Sequence, residues 1–281
     1  MPLTTFTNDG LTFDVAERGP ADGEVVLLLH GYPETKESWE EVAPVLADAG
    51  YRVLAPDQRG YSPGARPRGR RQYTIERLNG DVLALADAAG ADRFHVIGHD
   101  WGGILAWALG TSHPARLASL TSLATPHPSA FARSLVSSTQ ILRSWYVLFY
   151  QLPLLPELSE RTGPGSAVFR RTLVRSGLSP ERADRYVELL RSGAAGPAVN
   201  WYRGLPFAPP STFGAVGVPT LYVYAGADFA LSRRAADETA RFVTGDDRYE
   251  VVEGASHWLP EEHAEQLTPT ILDFLRSHPV G

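Results

Sequence analysis

Residues 96–103 read Val-Ile-Gly-His-Asp-Trp-Gly-Gly, an acidic side chain set in a run of small residues between an apolar strand and a helical pattern. Such a strand-to-helix turn usually presents a serine nucleophile, but its central residue here is Asp100. Aspartate is also a favoured helix N-cap, yet a cap alone does not need Gly98, Gly102 and Gly103 crowded around it. The run therefore reads as a nucleophile turn whose attacking group is a carboxylate, kept ionised by the N-terminus of the following helix. A carboxylate suits displacement at a saturated carbon, which leaves an ester on the protein. A base is then needed to activate water for its release.

His257, in Gly-Ala-Ser-His-Trp (254–258), follows the last strand, where a nucleophile–acid–histidine order puts that base. Asp228, in Ala-Gly-Ala-Asp-Phe-Ala-Leu (225–231), follows the strand before it and is placed to orient the imidazole. The other site open to the acid, after 117–125, reads Ala-Thr-Pro-His-Pro-Ser-Ala and holds no carboxylate. His30, His95, His99 and His127 read as structural or supporting residues. No His/Asp/Glu set has the spacing of a metal site, so neither metal nor organic cofactor is expected.

The elements that must position these groups alternate. Runs 25–31, 51–57, 94–100 and 117–125 are short and apolar, fit for strands covered on both faces, and a leading hairpin spans 5–19. Between them, 38–50 and 74–90 carry helical spacing and end in glycine. This order predicts an α/β fold with a doubly wound, mostly parallel sheet. The rhythm breaks from about 128 to 212, where helical runs occur without a convincing strand. The clearest of them is 179–193, with Ser179 as N-cap and Pro180 in the first turn. Strand character returns at 218–226 and 249–254, and a last helix is expected near 261–276. The expected organisation is a core in two parts, 1–127 and 213–281, with a helical cap, 128–212, inserted over the strand ends. In open α/β sheets those ends carry the chemistry.

Composition narrows the function. A net charge of −6 offers no basic stripe for nucleic acid, and the arginine-rich stretch 66–73 reads as a solvated loop. The chain has no cysteine, which excludes disulfides and thiolate catalysis. It shows no secretory leader and no apolar run near the roughly 18 residues of a membrane span, so a cytoplasmic protein without a membrane partner is expected.

Taken in order, His-Gly-Tyr-Pro (30–33), Asp-Gln-Arg-Gly-Tyr-Ser (57–62), Gly-His-Asp-Trp-Gly-Gly (98–103), Asn-Trp-Tyr-Arg (200–203) and Gly-Ala-Ser-His-Trp resemble the epoxide hydrolases of the α/β-hydrolase fold. The likeness runs through nearly the whole chain, and the ordered set is far more specific than any one motif. It implies Asp100 as nucleophile and two cap tyrosines that hold the epoxide oxygen. The matching positions are Tyr202 in Asn-Trp-Tyr-Arg and Tyr146 in Ser-Trp-Tyr-Val (144–147), with Tyr150 a competitor four residues on, on the same helical face.

A tyrosine, with a pKa of about 10, stays protonated at neutral pH and can donate to an alkoxide leaving group. His257, oriented by Asp228, then activates water against the ester, and backbone N–H groups of Trp101 and Tyr32 hold the oxyanion. Small apolar epoxides and water are the expected partners. Phe149, Leu152, Leu154, Leu155, Phe169 and Phe207 point to an apolar pocket. Haloalkane dehalogenases share the aspartate and histidine, and Trp101 would suit a halide, but Tyr32 and Tyr202 favour an epoxide. A non-catalytic ligand-binding member of the same fold is the remaining alternative.

Overall fold

The computed structural model describes residues 2–138 and 140–281. Eight strands form one sheet: β1 (Thr5–Asn8), β2 (Leu11–Arg18), β3 (Val25–Leu29), β4 (Arg52–Pro56), β5 (Phe94–His99), β6 (Leu117–Leu123), β7 (Thr220–Ala225) and β8 (Asp247–Val252). Their spatial order is β1-β2-β4-β3-β5-β6-β7-β8. β1 and β2 form the antiparallel hairpin, β2 joins β4 antiparallel, and every later pairing is parallel.

The central strands are apolar on both faces because both are covered. Along β3, Leu27 and Leu29 enter the same core as Val82, Leu105 and Trp107, while Val26 and Leu28 enter the other with Leu46, Ile271 and Phe274. The first layer holds α2 (Ile75–Ala88) and α3 (Trp101–Ser112); the second holds α1 (Val42–Asp48) and the last helix. The period of two along a strand thus feeds two layers at once.

Between β6 and β7 the described chain is helical: α4 (Pro128–Ser137), α5 (Gln140–Arg143), α6 (Trp145–Phe149), α7 (Leu155–Arg161), α8 (Gly163–Arg175), α9 (Pro180–Leu189) and α10 (Ala195–Gly204). α11 (Arg233–Asp237) follows β7, and α12 (Leu259–Glu262) and α13 (Ala264–Ser277) follow β8.

Several boundaries differ from the sequence reading. The expected helix 38–50 is split, because a tight 3-10 turn, Lys36–Trp39, buries Ser38 and Trp39 before α1 begins. The helix expected over 179–193 stops at Leu189, and a wide turn through Gly193 (φ 108°) runs straight into α10. Ser179 holds the N-cap position there without a side-chain capping bond. The arginine stretch 66–73 is no free loop either. Tyr73 is buried, and the Arg70 and Arg71 guanidinium groups lie 5.3 and 4.5 Å from the Phe207 ring centre. No described helix is long and apolar enough to cross a membrane.

Candidate active site

The turn after β5 places Asp100 at φ 50° and ψ −117°, a region that non-glycine residues occupy at a cost of roughly 1–3 kcal/mol. Its neighbours make the turn sterically possible. A Cβ on Gly98 would lie 2.1 Å from the Gly102 carbonyl oxygen, and one on Gly102 would lie 2.0 Å from that of Leu29. Asp100 occupies the N-cap position of α3 but makes no capping bond with its side chain. Instead Oδ1 accepts the Tyr32 N–H at 2.9 Å, and Oδ2 lies 3.7 Å from His257 Nε2. Nδ1 of His257 is 2.7 Å from Asp228 Oδ2. Asp228 is held in turn: its Oδ1 accepts the N–H groups of Ala230 and Leu231 at 2.7 and 3.0 Å.

Burial alone would raise the Asp100 pKa, but the hydrogen bond and charge of His257, with His99 behind it, hold it below the usual carboxylate range. Burial would likewise lower that of His257; the charge of Asp228 and the bonds to both carboxylates outweigh it and lift it well above the ordinary histidine value. The imidazolium therefore sits between two carboxylates, and its charge depends on both.

Two arms of one cavity meet at Asp100. The first, of about 440 Å³, is walled by apolar residues including Ile104, Phe131, Leu135 and Phe213. The second, of about 560 Å³, runs between Tyr32 and the helices α6, α7 and α8, past Phe149, Tyr150, Glu160 and Phe169. Asp100, Tyr146, Tyr202 and His257 line both arms. Burial, then the charge of Asp100, raises the hydroxyl pKa of Tyr146 and Tyr202 and keeps both protonated. Tyr150 lines only the second arm. It stacks on Tyr202 with ring centres 4.5 Å apart and packs edge-on against Tyr32 at 5.3 Å.

Trp101 begins α3, and its ring meets that of Tyr202 at 4.9 Å. α10 is pinned by the Trp201 indole N–H, which donates to the Arg59 carbonyl at 2.7 Å, and by Gln151, which donates to the Tyr202 carbonyl at 2.8 Å. Of the apolar residues expected to form the pocket, Phe149 and Phe169 line it. Leu152, Leu154 and Leu155 instead stand in solvent around the turn from α6 to α7, and Phe207 is covered by the two arginines.

Two buried features escaped the sequence reading. Glu34, His99 and Glu261 converge from three separate segments, a grouping that no spacing in the sequence marks. Their contacts describe an ion pair with its supports. His99 Nδ1 lies 2.8 Å from Glu34 Oε1 and its Nε2 is 2.9 Å from the His257 carbonyl, so both ring nitrogens donate when the ring is charged. Burial opposes that charge, Glu34 outweighs it, and the His99 pKa is raised. Glu34 also accepts the Gly31 N–H at 2.7 Å, so this pair ties the His-Gly-Tyr-Pro turn to the loop bearing His257. The second feature is Glu160, fully buried on α7, which accepts the Tyr32 hydroxyl. Burial pushes its pKa up to about 7. Nothing local marks either group, because their partners are far away in the chain.

The α/β hydrolase fold family model matches residues 24–264. Epoxide hydrolase A of Mycobacterium tuberculosis is 33% identical, with 95% of each chain covered. The AB hydrolase superfamily protein YfhM of Bacillus subtilis is 34% identical over 96% of each. The crystal structure of epoxide hydrolase A from Mycobacterium thermoresistibile superposes with a TM-score of 0.85 at 26% identity, covering 99% of this chain and 98% of that one. With the fold, the ordered motifs and these likenesses together, the chain belongs to the epoxide hydrolase family of the α/β-hydrolase fold.

Proposed function

We propose that this protein opens epoxides to vicinal diols through a covalent ester on Asp100. The carrying observation is the convergence on one cavity of a carboxylate, an imidazole 3.7 Å from it and two tyrosine hydroxyls. In the first step Asp100 Oδ2, the oxygen free of the Tyr32 bond, attacks a ring carbon. The C–O bond breaks and its electron pair goes to the epoxide oxygen, which takes a proton from Tyr146 or Tyr202. The inserted helices act as the cap that brings these hydroxyls over the nucleophile.

Esterification removes one of the two negative charges that hold the proton on His257. That proton returns to the tyrosinate, leaving a neutral imidazole oriented by Asp228. His257 then takes a proton from water, whose oxygen adds to the carboxyl carbon. Oδ1 becomes the oxyanion, already facing the Tyr32 N–H, with the Trp101 N–H as second donor. Collapse breaks the bond from that carbon to Oδ2, the departing alkoxide takes the proton of the newly added hydroxyl, and the diol leaves a carboxylate beside the imidazolium. The chemistry needs no cofactor.

A single turnover in heavy-oxygen water tests the reading. The label must enter Asp100 and appear in the diol only on the next turnover. Label going directly into product, with Asp100 unlabelled, would refute the ester. Halide release from haloalkanes without diol formation from epoxides would move the assignment to dehalogenation.

A further inference from the structure

Apart from Val45, the strongly exposed large apolar side chains of the described residues all fall between 136 and 168 or at Phe229. A soluble monomer scatters such residues; confined to one region, they mark a surface that something else covers. Leu142, Trp145 and Leu148, exposed by 74, 64 and 74%, repeat at helical spacing along α5 and α6, while Leu154 and Leu158 continue the patch on the neighbouring turn and α7. Trp145, Val168 and Phe229 also line the second arm of the cavity, so the patch reaches its mouth.

Charge identifies the occupant. Residues 128–178 hold six arginines and two glutamates, within a chain whose net charge is −6. Neither glutamate offers a free charge to the surface: Glu157 pairs with Arg203 and Glu160 is buried against Tyr32. Arg171 and Arg175 lie three and seven residues from Val168 on α8, on the side of that helix that reaches the mouth, and Arg161 is exposed at the end of α7. Among the described residues, none of these three arginines is ion-paired, whereas Arg170 pairs with Asp184. Exposed Trp and Leu with unpaired arginines on the neighbouring helices is the composition of a surface that lies in a lipid headgroup layer. A two-fold contact with a second copy would set the same cationic face against itself, which like-charge repulsion opposes.

We propose that this face docks on an anionic membrane surface and seats the mouth of the second arm among the headgroups, so that apolar substrate enters from the bilayer. The contact is peripheral, since no described helix can span a membrane. No membrane partner was expected from the sequence for lack of a spanning segment, but a peripheral contact needs none. Vesicle binding is read without substrate, so its outcome does not depend on the chemistry at Asp100.

The test is flotation of the purified protein with phosphatidylcholine vesicles, with and without one third phosphatidylglycerol. The protein is expected to bind the anionic vesicles at least tenfold more tightly than the neutral ones, with the difference shrinking in high salt. Two triple variants, Leu142→Ser/Leu148→Ser/Leu158→Ser and Arg161→Glu/Arg171→Glu/Arg175→Glu, separate the apolar and charged contributions. Each is expected to lose at least tenfold in vesicle binding while keeping its circular dichroism and its turnover of a small water-soluble epoxide. Equal binding to both vesicle types, or binding untouched by both variants, overturns the proposal. So does a dimer in sedimentation that the leucine variant disperses while the parent ignores vesicles, because a second copy would then cover the face.

Discussion

Replacing Asp100 by asparagine imitates the charge state of the ester, and the structure says what this does to His257. In the resting site Nε2 lies 3.7 Å from Asp100 Oδ2. Two unit charges at that distance attract by about 4.5 kcal/mol at the effective dielectric of about 20 that suits protein sites. Each 1.36 kcal/mol is about a factor of ten in proton affinity, so Asp100→Asn should weaken proton binding by His257 on the order of a thousandfold. Asp228 still holds Nδ1, so the tautomer with Nε2 free to accept a proton should be the one that appears. Nitrogen-15 histidine spectra followed against pH in the parent and the variant read both quantities. A midpoint that moves by less than tenfold in proton concentration would show that esterification does not turn the imidazolium into a base. Another proton acceptor would then be required for the second step.

Other expectations follow from the same geometry. Tyr146→Phe should slow ester formation by about a hundredfold or more, the usual weight of a general acid, while Tyr150→Phe stays within a few-fold; rapid-quench ester formation decides, and the reverse order would make Tyr150 the donor. Gly31→Ala puts a Cβ 2.4 Å from Asp100 Cβ and 2.6 Å from Oδ1, so the nucleophile must move by roughly 1 Å, which costs about a hundredfold in kcat/KM; an unchanged kcat/KM would show that the turn absorbs the methyl elsewhere. Glu160, with its pKa raised from 4.5 to about 7, binds its proton more tightly in the folded chain than in the unfolded one. Its contribution therefore falls as pH rises through that window, by about 3 kcal/mol in all. Glu160→Gln should remove that fall and melt higher than the parent at pH 8; parallel melting curves against pH would contradict the assignment.

The strands were legible in the sequence because those of a parallel sheet are apolar on both faces and short. The convergence of Asp100, Asp228 and His257 was legible for a related reason: each lies in the segment that follows a strand, so position in the chain stands in for position in space. Helix boundaries within 128–212 were less so, since the turn through Gly193 joins α9 to α10 instead of ending a helix. Glu160 and the Glu34–His99–Glu261 cluster could not be read at all. Glu160 meets Tyr32 across 128 residues, and neither carries a local pattern that announces the pair. Leu154 and Leu155 were misread for the opposite reason: apolar residues in a helical insert are ordinarily core, and here they face outward.

The two oxygens of Asp100 are not equivalent, since Tyr32 holds one and leaves the other free. In the proposed cycle the free oxygen departs with the diol and a solvent oxygen takes its place. Each turnover therefore rebuilds half of the nucleophile from water, while the oxygen on Tyr32 persists for as long as that bond prevents rotation. The isotopic composition of the carboxylate becomes a record of its own motion. After many cycles in heavy-oxygen water, a single labelled oxygen means a pinned side chain, and two mean one that flips between turnovers.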